Sequence, residues 1–117
     1  MADKRKQGAL ENEVLGCLWD RPDGLTSQQL LAMLGEEVKL TTVLTVLSRL
    51  EDKGLVSKQP GAGRSYLFSA TQSREQFTAS QLLALMGSEA NPALVFSHFA
   101  QGLTDSQIAH LRSALQK

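Results

Sequence analysis

From Lys39 to Gly54 the chain reads KLTTVLTVLSRLEDKG, and this run constrains the fold more than any other. At about 3.6 residues per turn, Leu40, Val43, Val46, Leu47 and Leu50 gather on one side. Thr41, Thr42, Thr45, Ser48 and Arg49 occupy much of the other. A helix divided in this way buries one stripe and leaves a face of hydroxyls in water. Gly54 stands just past the last turn, where the backbone often turns left-handed and only glycine does so without steric cost. Most solvent-facing helices carry Glu and Lys. Small hydroxyls with a basic residue toward each end, Lys39 and Arg49, suit close approach to phosphates and base edges. The run therefore predicts a helix that reads double-stranded DNA, and taken alone it also fits an ordinary amphipathic helix with a Thr-rich surface.

A chain of 117 residues makes one modest domain, or a compact domain with a helical arm. Aromatic residues supply only 5% of it, so a small core is expected, one that a partner chain would help to complete. No run approaches the ~20 apolar residues that cross a bilayer, and the N-terminus lacks the apolar region of a signal peptide. These features predict a cytoplasmic protein without membrane insertion. Cys17 is the only cysteine, which excludes an intrachain disulfide and a cysteine metal cluster. Beside Leu18 and Trp19, it reads as a small core residue.

Net charge is zero, but the charges are segregated. Residues 7–38 carry one base and six acids, whereas residues 39–74 carry six bases and two acids. A local basic patch of this kind neutralises a few phosphates while the acidic remainder discourages indiscriminate coating of nucleic acid. Solvated surface charge accounts for the same pattern without a partner.

In chain order, Lys4-Arg5-Lys6 lies in a polar N-terminal arm that either touches DNA or is simply solvated. Leu10, Val14, Leu15, Leu18 and Trp19 then recur at helical spacing over residues 9–19, and Asp20 to Gly24 make a turn. Thr26-Ser27-Gln28-Gln29 has the spacing of a capping box, which predicts a short second helix carrying Leu30, Leu31, Met33 and Leu34. That helix, a brief connection and the Thr-faced helix form a helix-turn-helix. The period then changes: Leu55–Gln59 and Arg64–Ser69 read as strands around the tip Pro60-Gly61-Ala62-Gly63, a wing with Lys58 and Arg64 placed to reach phosphates.

The last third is helical again. Ser73, Asn91-Pro92 and Thr104 mark three starts. The apolar residues are Phe77, Leu82, Leu83, Leu85 and Met86, then Leu94, Val95, Phe96 and Phe99, then Ile108, Leu111 and Leu115. Such faces seldom stay exposed on a monomer, which predicts interlocking with a second copy; folding back on the preceding domain is the competing arrangement. The expected organisation is a mainly α protein with a small β-hairpin, a winged helix-turn-helix domain at 1–71 and a helical dimerisation domain at 72–117. No nucleophile stands with a His and a carboxylate, and no metal spacing occurs, so neither an enzyme, a cofactor nor a metal is predicted.

The runs Leu10–Trp19, Thr41–Val56 and Gly63–Phe68 resemble the BlaI/MecI/CopY family of penicillinase repressors. The similarity extends from about Leu10 to Leu115, and its most specific part is the TTV-x-T-V-L-x-R-L-x-x-K-G-L run. The resemblance implies a homodimeric winged-helix repressor that binds inverted-repeat operators over promoters. It places Thr41, Thr42 and Thr45 on the groove-facing side of the recognition helix, Arg49 further along it, and Arg64 and Tyr66 in the wing. In antibiotic-responsive members a membrane sensor protease system leads to cleavage at an Asn-Phe bond in the dimerisation domain, and here the matching pair is His98-Phe99. The copper-responsive branch uses a C-terminal cysteine motif that this chain lacks, which excludes that route. The rival expectation is a winged helix that docks proteins and binds no DNA.

Overall fold

The computed structural model describes residues 7–116, so the Lys4-Arg5-Lys6 arm lies outside the described residues. The elements run α1 (Gln7–Asp20), α2 (Ser27–Leu34), α3 (Leu40–Asp52), β1 (Val56–Pro60), β2 (Tyr66–Ala70), α4 (Arg74–Gly87), α5 (Pro92–Gly102) and α6 (Asp105–Leu115). This is the mainly helical architecture with a winged hairpin that the sequence predicts. The chain forms two compact units, one ending at Thr78 and one beginning at Ala79, with the boundary inside α4. Among the described residues, no helix is long and apolar enough to cross a membrane.

The core of the first unit follows from periodicity. Leu10, Val14, Leu15 and Leu18 recur every three or four residues on α1 and are buried. Leu30 and Leu34 do the same for α2, and Val43, Val46, Leu47 and Leu50 for α3. Val56 of β1 and Phe68 of β2 close the cluster. Burying each such side chain contributes about 1.5–3 kcal/mol relative to leaving it in water, which makes this stripe the main force holding α3 in place. Two positions depart from the expected pattern. Leu40, at the first turn of α3, is only half-buried, and Met33 of α2 is 43% exposed because α2 is a short helix whose buried side is already filled by Leu30 and Leu34.

Local chemistry sets the helix ends. Thr26 Oγ1 accepts from the Gln29 N–H (3.1 Å) while Gln29 Oε1 accepts from the Thr26 N–H (2.9 Å), completing the capping box of α2. At the far end of α3, Gly54 takes φ +76°. The Gly54 N–H then donates to the Glu51 carbonyl and the Leu55 N–H to the Leu50 carbonyl, both at 2.9 Å. Two carbonyls left open by the helix are thereby satisfied, and Leu55 is turned back toward the core.

That stop corrects the expected hairpin. Leu55 belongs to the helix termination, so β1 begins at Val56. Arg64 and Ser65 belong to the turn, where Ser65 Oγ donates to the Ala62 carbonyl at 2.6 Å and the Gly61 N–H to the Ser65 carbonyl at 2.9 Å, so β2 begins at Tyr66. The strands pair antiparallel with Val56 opposite Ala70 and Pro60 opposite Tyr66. A further bridge was not foreseen. Leu25 exchanges both backbone hydrogen bonds with Phe68, at 2.8 and 3.0 Å, and ties the segment before α2 to the wing.

The first unit also holds the start of α4. The Trp19 indole N–H donates to the Gln72 carbonyl at 2.8 Å, and the Arg74 guanidinium lies over the Trp19 ring at 4.8 Å. Phe77, grouped by sequence with the dimerisation residues, packs instead against this cluster, its ring centroid 5.5 Å from that of Trp19.

In the second unit, Asn91 caps α5 with Pro92 in its first turn, and Thr104 and Gln107 form a capping box for α6. None of the described residues of α4, α5 or α6 is fully buried.

Candidate nucleic-acid interface

The buried stripe of α3 dictates which of its side chains face outward. With Val43, Val46, Leu47 and Leu50 at 3% exposure or less, Thr41, Thr42, Thr45, Ser48 and Arg49 are turned to solvent as a set. Lys39 occupies the N-cap with extended backbone and makes no capping bond through its side chain, so its ammonium is exposed at the entry to the helix. Arg49 lies in the last turn, where a cation is favoured by the helix dipole. Thr45 Oγ1 donates to the Thr41 carbonyl at 2.9 Å. Its proton is thereby used within the helix, and what Thr45 presents outward is a methyl group and an acceptor lone pair.

The C-terminal end of α3 is anchored independently. Glu11 of α1 is buried to 8% exposure, and its Oε1 lies 2.7 Å from Lys53 Nζ. A buried carboxylate without a partner would be costly, so this pair fixes α1 to the end of α3.

The wing residues divide into two groups. Lys58 sits within β1, its Nζ 4.7 Å from the centroid of the Tyr66 ring and 3.9 Å from Glu51 Oε1. Lys58 thus stands on the strand that leads into the tip and also approaches the end of α3. Tyr66, 47% exposed, supplies the ring on which that cation rests. Arg64 is in the tip turn and exposed to solvent, with Gly63 beside it at φ +64°. The structure therefore gathers Lys39, Thr41, Thr42, Thr45 and Arg49 on one helix, joins Lys58 to Tyr66, and holds Arg64 at the wing tip.

Sequence reading passed over Leu44, which is 45% exposed on α3, although its angular position between the buried stripe and Ser48 was the available signal. It also missed the Glu11–Lys53 pair, because nothing local links residues so distant in the chain.

In the second unit the apolar residues predicted for dimerisation are largely uncovered. Leu82 and Leu94 are about half exposed, Leu83 71%, Phe99 48%, Leu111 42% and Leu115 76%, whereas Met86, Val95 and Ile108 are half-buried. Leu82, Leu83, Met86, Val95, Phe96 and Phe99, with Leu85, line an apolar hollow of about 340 Å³. His98 and Phe99 lie inside α5, so the bond between them is held in helical backbone.

Comparison with known proteins accords with this geometry. Over 120 residues, covering 98% of this chain and 86% of that protein, the chain is 29% identical to the transcriptional regulator BlaI of Mycobacterium tuberculosis. Among solved structures, wild-type MarR of E. coli in its apo form superposes with a TM-score of 0.53 at 24% identity, over 92% of this chain and 74% of that one. The PcaV transcriptional regulator of Streptomyces coelicolor, in complex with its natural ligand, gives 0.52 at 22% identity over 92% and 71%. The S. aureus MepR–DNA complex gives 0.50 at 21% identity over 92% and 74%. These structural likenesses establish the fold. The sequence model described as penicillinase repressor matches residues 7–117, and the chain belongs to that family.

Proposed function

We propose that the chain is a DNA-binding transcriptional repressor, not an enzyme, and that it works as a homodimer occluding promoters at inverted-repeat operators. The observation that carries this reading is the division of α3: one side locked into the core, the other a solvent-facing surface rich in hydroxyls between Lys39 and Arg49. Inserted into a major groove, that surface offers hydrogen-bond donors and acceptors to base edges and threonine methyls to thymine. Arg64 at the wing tip holds phosphate, and Lys58, braced by Tyr66 and Glu51, supports the wing beside it. Family membership and a BlaI relative spanning nearly the whole chain support the same reading.

Two copies joined through α4–α6 place their α3 helices in grooves separated by multiples of ~10 base pairs. Leu82, Leu83, Met86, Leu94, Val95, Phe99, Ile108, Leu111 and Leu115 supply the apolar surface for that pairing. Release by a sensor protease system at His98-Phe99 requires α5 to unwind locally first.

Binding titrations on a preferred duplex and on scrambled duplexes, over a range of salt, test the assignment. Arg64→Ala should weaken every duplex by a similar factor and lower the salt slope by about one, as loss of one phosphate contact does. Thr42→Ala should instead redistribute preference among duplexes. Equal loss of selectivity from both changes contradicts the proposed roles.

A further inference from the structure

Leu44 is the large apolar residue of α3 that the core does not take: 45% exposed, while Val43, Val46, Leu47 and Leu50 are buried and Leu40 is half-buried. It lies one turn after Thr41, one turn before Ser48 and beside Thr45, all three exposed. About half of Leu44 is covered by the protein, and the rest is offered to whatever the hydroxyl face of α3 meets. Thr45 donates its hydroxyl to the Thr41 carbonyl and so turns a methyl outward. Leu44, between the buried stripe and Ser48, gives the hydroxyl face an apolar margin.

The major groove displays hydrogen-bonding atoms on every base pair and one prominent apolar group, the C5-methyl of thymine. We infer that Leu44 is a specificity-determining residue that selects thymine at one position of each half-site by packing on that methyl. The inference rests on the reading of α3 as the groove helix and adds to it a residue and the chemical group that residue recognises. Hydroxyl contacts report donors and acceptors, whereas Leu44 reports the presence of a methyl.

Replacing thymidine by deoxyuridine removes only that methyl and leaves base pairing intact. The full-length protein is first used to select a preferred duplex from a random pool, and each thymidine of that duplex is then replaced singly by deoxyuridine. Wild-type protein should lose about fourfold in affinity at the position Leu44 reads, corresponding to ~0.8 kcal/mol for one buried carbon at 1.4 kcal/mol per tenfold. Leu44→Ala should bind the parent duplex more weakly and be indifferent to deoxyuridine at that position while staying sensitive elsewhere. Leu44→Met, which keeps an apolar reach, should retain the sensitivity. Because Leu44 is about half exposed, both variants should still unfold cooperatively, with Leu44→Ala lowering the thermal midpoint only modestly and Leu44→Met leaving it close to wild type. Wild type insensitive at every thymine, or Leu44→Ala as sensitive as wild type at every one, overturns the inference and leaves DNA binding intact. A pool that yields no preferred duplex overturns the reading of α3 itself, and the inference with it.

Discussion

Cys17 lies against the core without belonging to its fully buried set, and its environment decides its chemistry. Burial pushes its thiol pKa up, and the negative charges of Asp20 and Glu13 push in the same direction. A group neutral when protonated, with a folded pKa above its unfolded one, contributes stability that is complete below the ordinary thiol range and lost as pH rises through the raised value. Around neutral pH it therefore remains a thiol, and the thiolate is the nucleophile. Iodoacetamide at pH 8 should label Cys17 several-fold more slowly in the folded protein than in urea, as followed by mass spectrometry. Equal rates would contradict a protected thiol. The side chains of α3 illustrate the converse at the same scale: Thr45 is exposed, yet its hydrogen bond to Thr41 decides which of its atoms a partner can meet.

Among the elements, those specified by neighbouring residues were legible from sequence and those specified by distant ones were not. Thr26, Ser73, Asn91 and Thr104 each bond to a backbone N–H three residues on, so a short window of sequence contains the whole signal. The stripe and stop of α3 are equally local. The Leu25–Phe68 bridge, the Glu11–Lys53 pair and the Trp19–Gln72 hydrogen bond join residues far apart, and a one-residue strand has no period to detect. The candidate site divides along the same line. Exposure of Thr41, Thr42, Thr45 and Arg49 follows from helical spacing, whereas the position of Lys58 depends on the register that sets Pro60 opposite Tyr66. Gly24 tests the bridge that sequence did not reveal. It takes φ +99°, and a Cβ there would lie 3.1 Å from Ser69 Oγ and 3.3 Å from the Phe68 carbonyl oxygen. Gly24→Ala should therefore destabilise the first unit by about 1–3 kcal/mol, read as a lower urea midpoint. An unchanged midpoint would show that the bridge adjusts freely.

For the whole molecule, two properties work together. The second unit exposes more aliphatic and aromatic surface than a monomer ordinarily tolerates, with Leu83 at 71% and Leu115 at 76%. The first unit carries a local basic surface on a chain of zero net charge. In the proposed dimer, pairing would cover the apolar surface and duplicate the basic one, so that two weak groove contacts would become one strong attachment to a symmetric site. The most direct measurement is a fluorescence-anisotropy titration of the selected inverted-repeat duplex against a scrambled duplex at moderate ionic strength, with sedimentation giving the mass of the complex. Two chains per duplex and a clear preference for the inverted repeat are the predicted result. A protein that is monomeric at micromolar concentration, or that binds both duplexes equally, would contradict it.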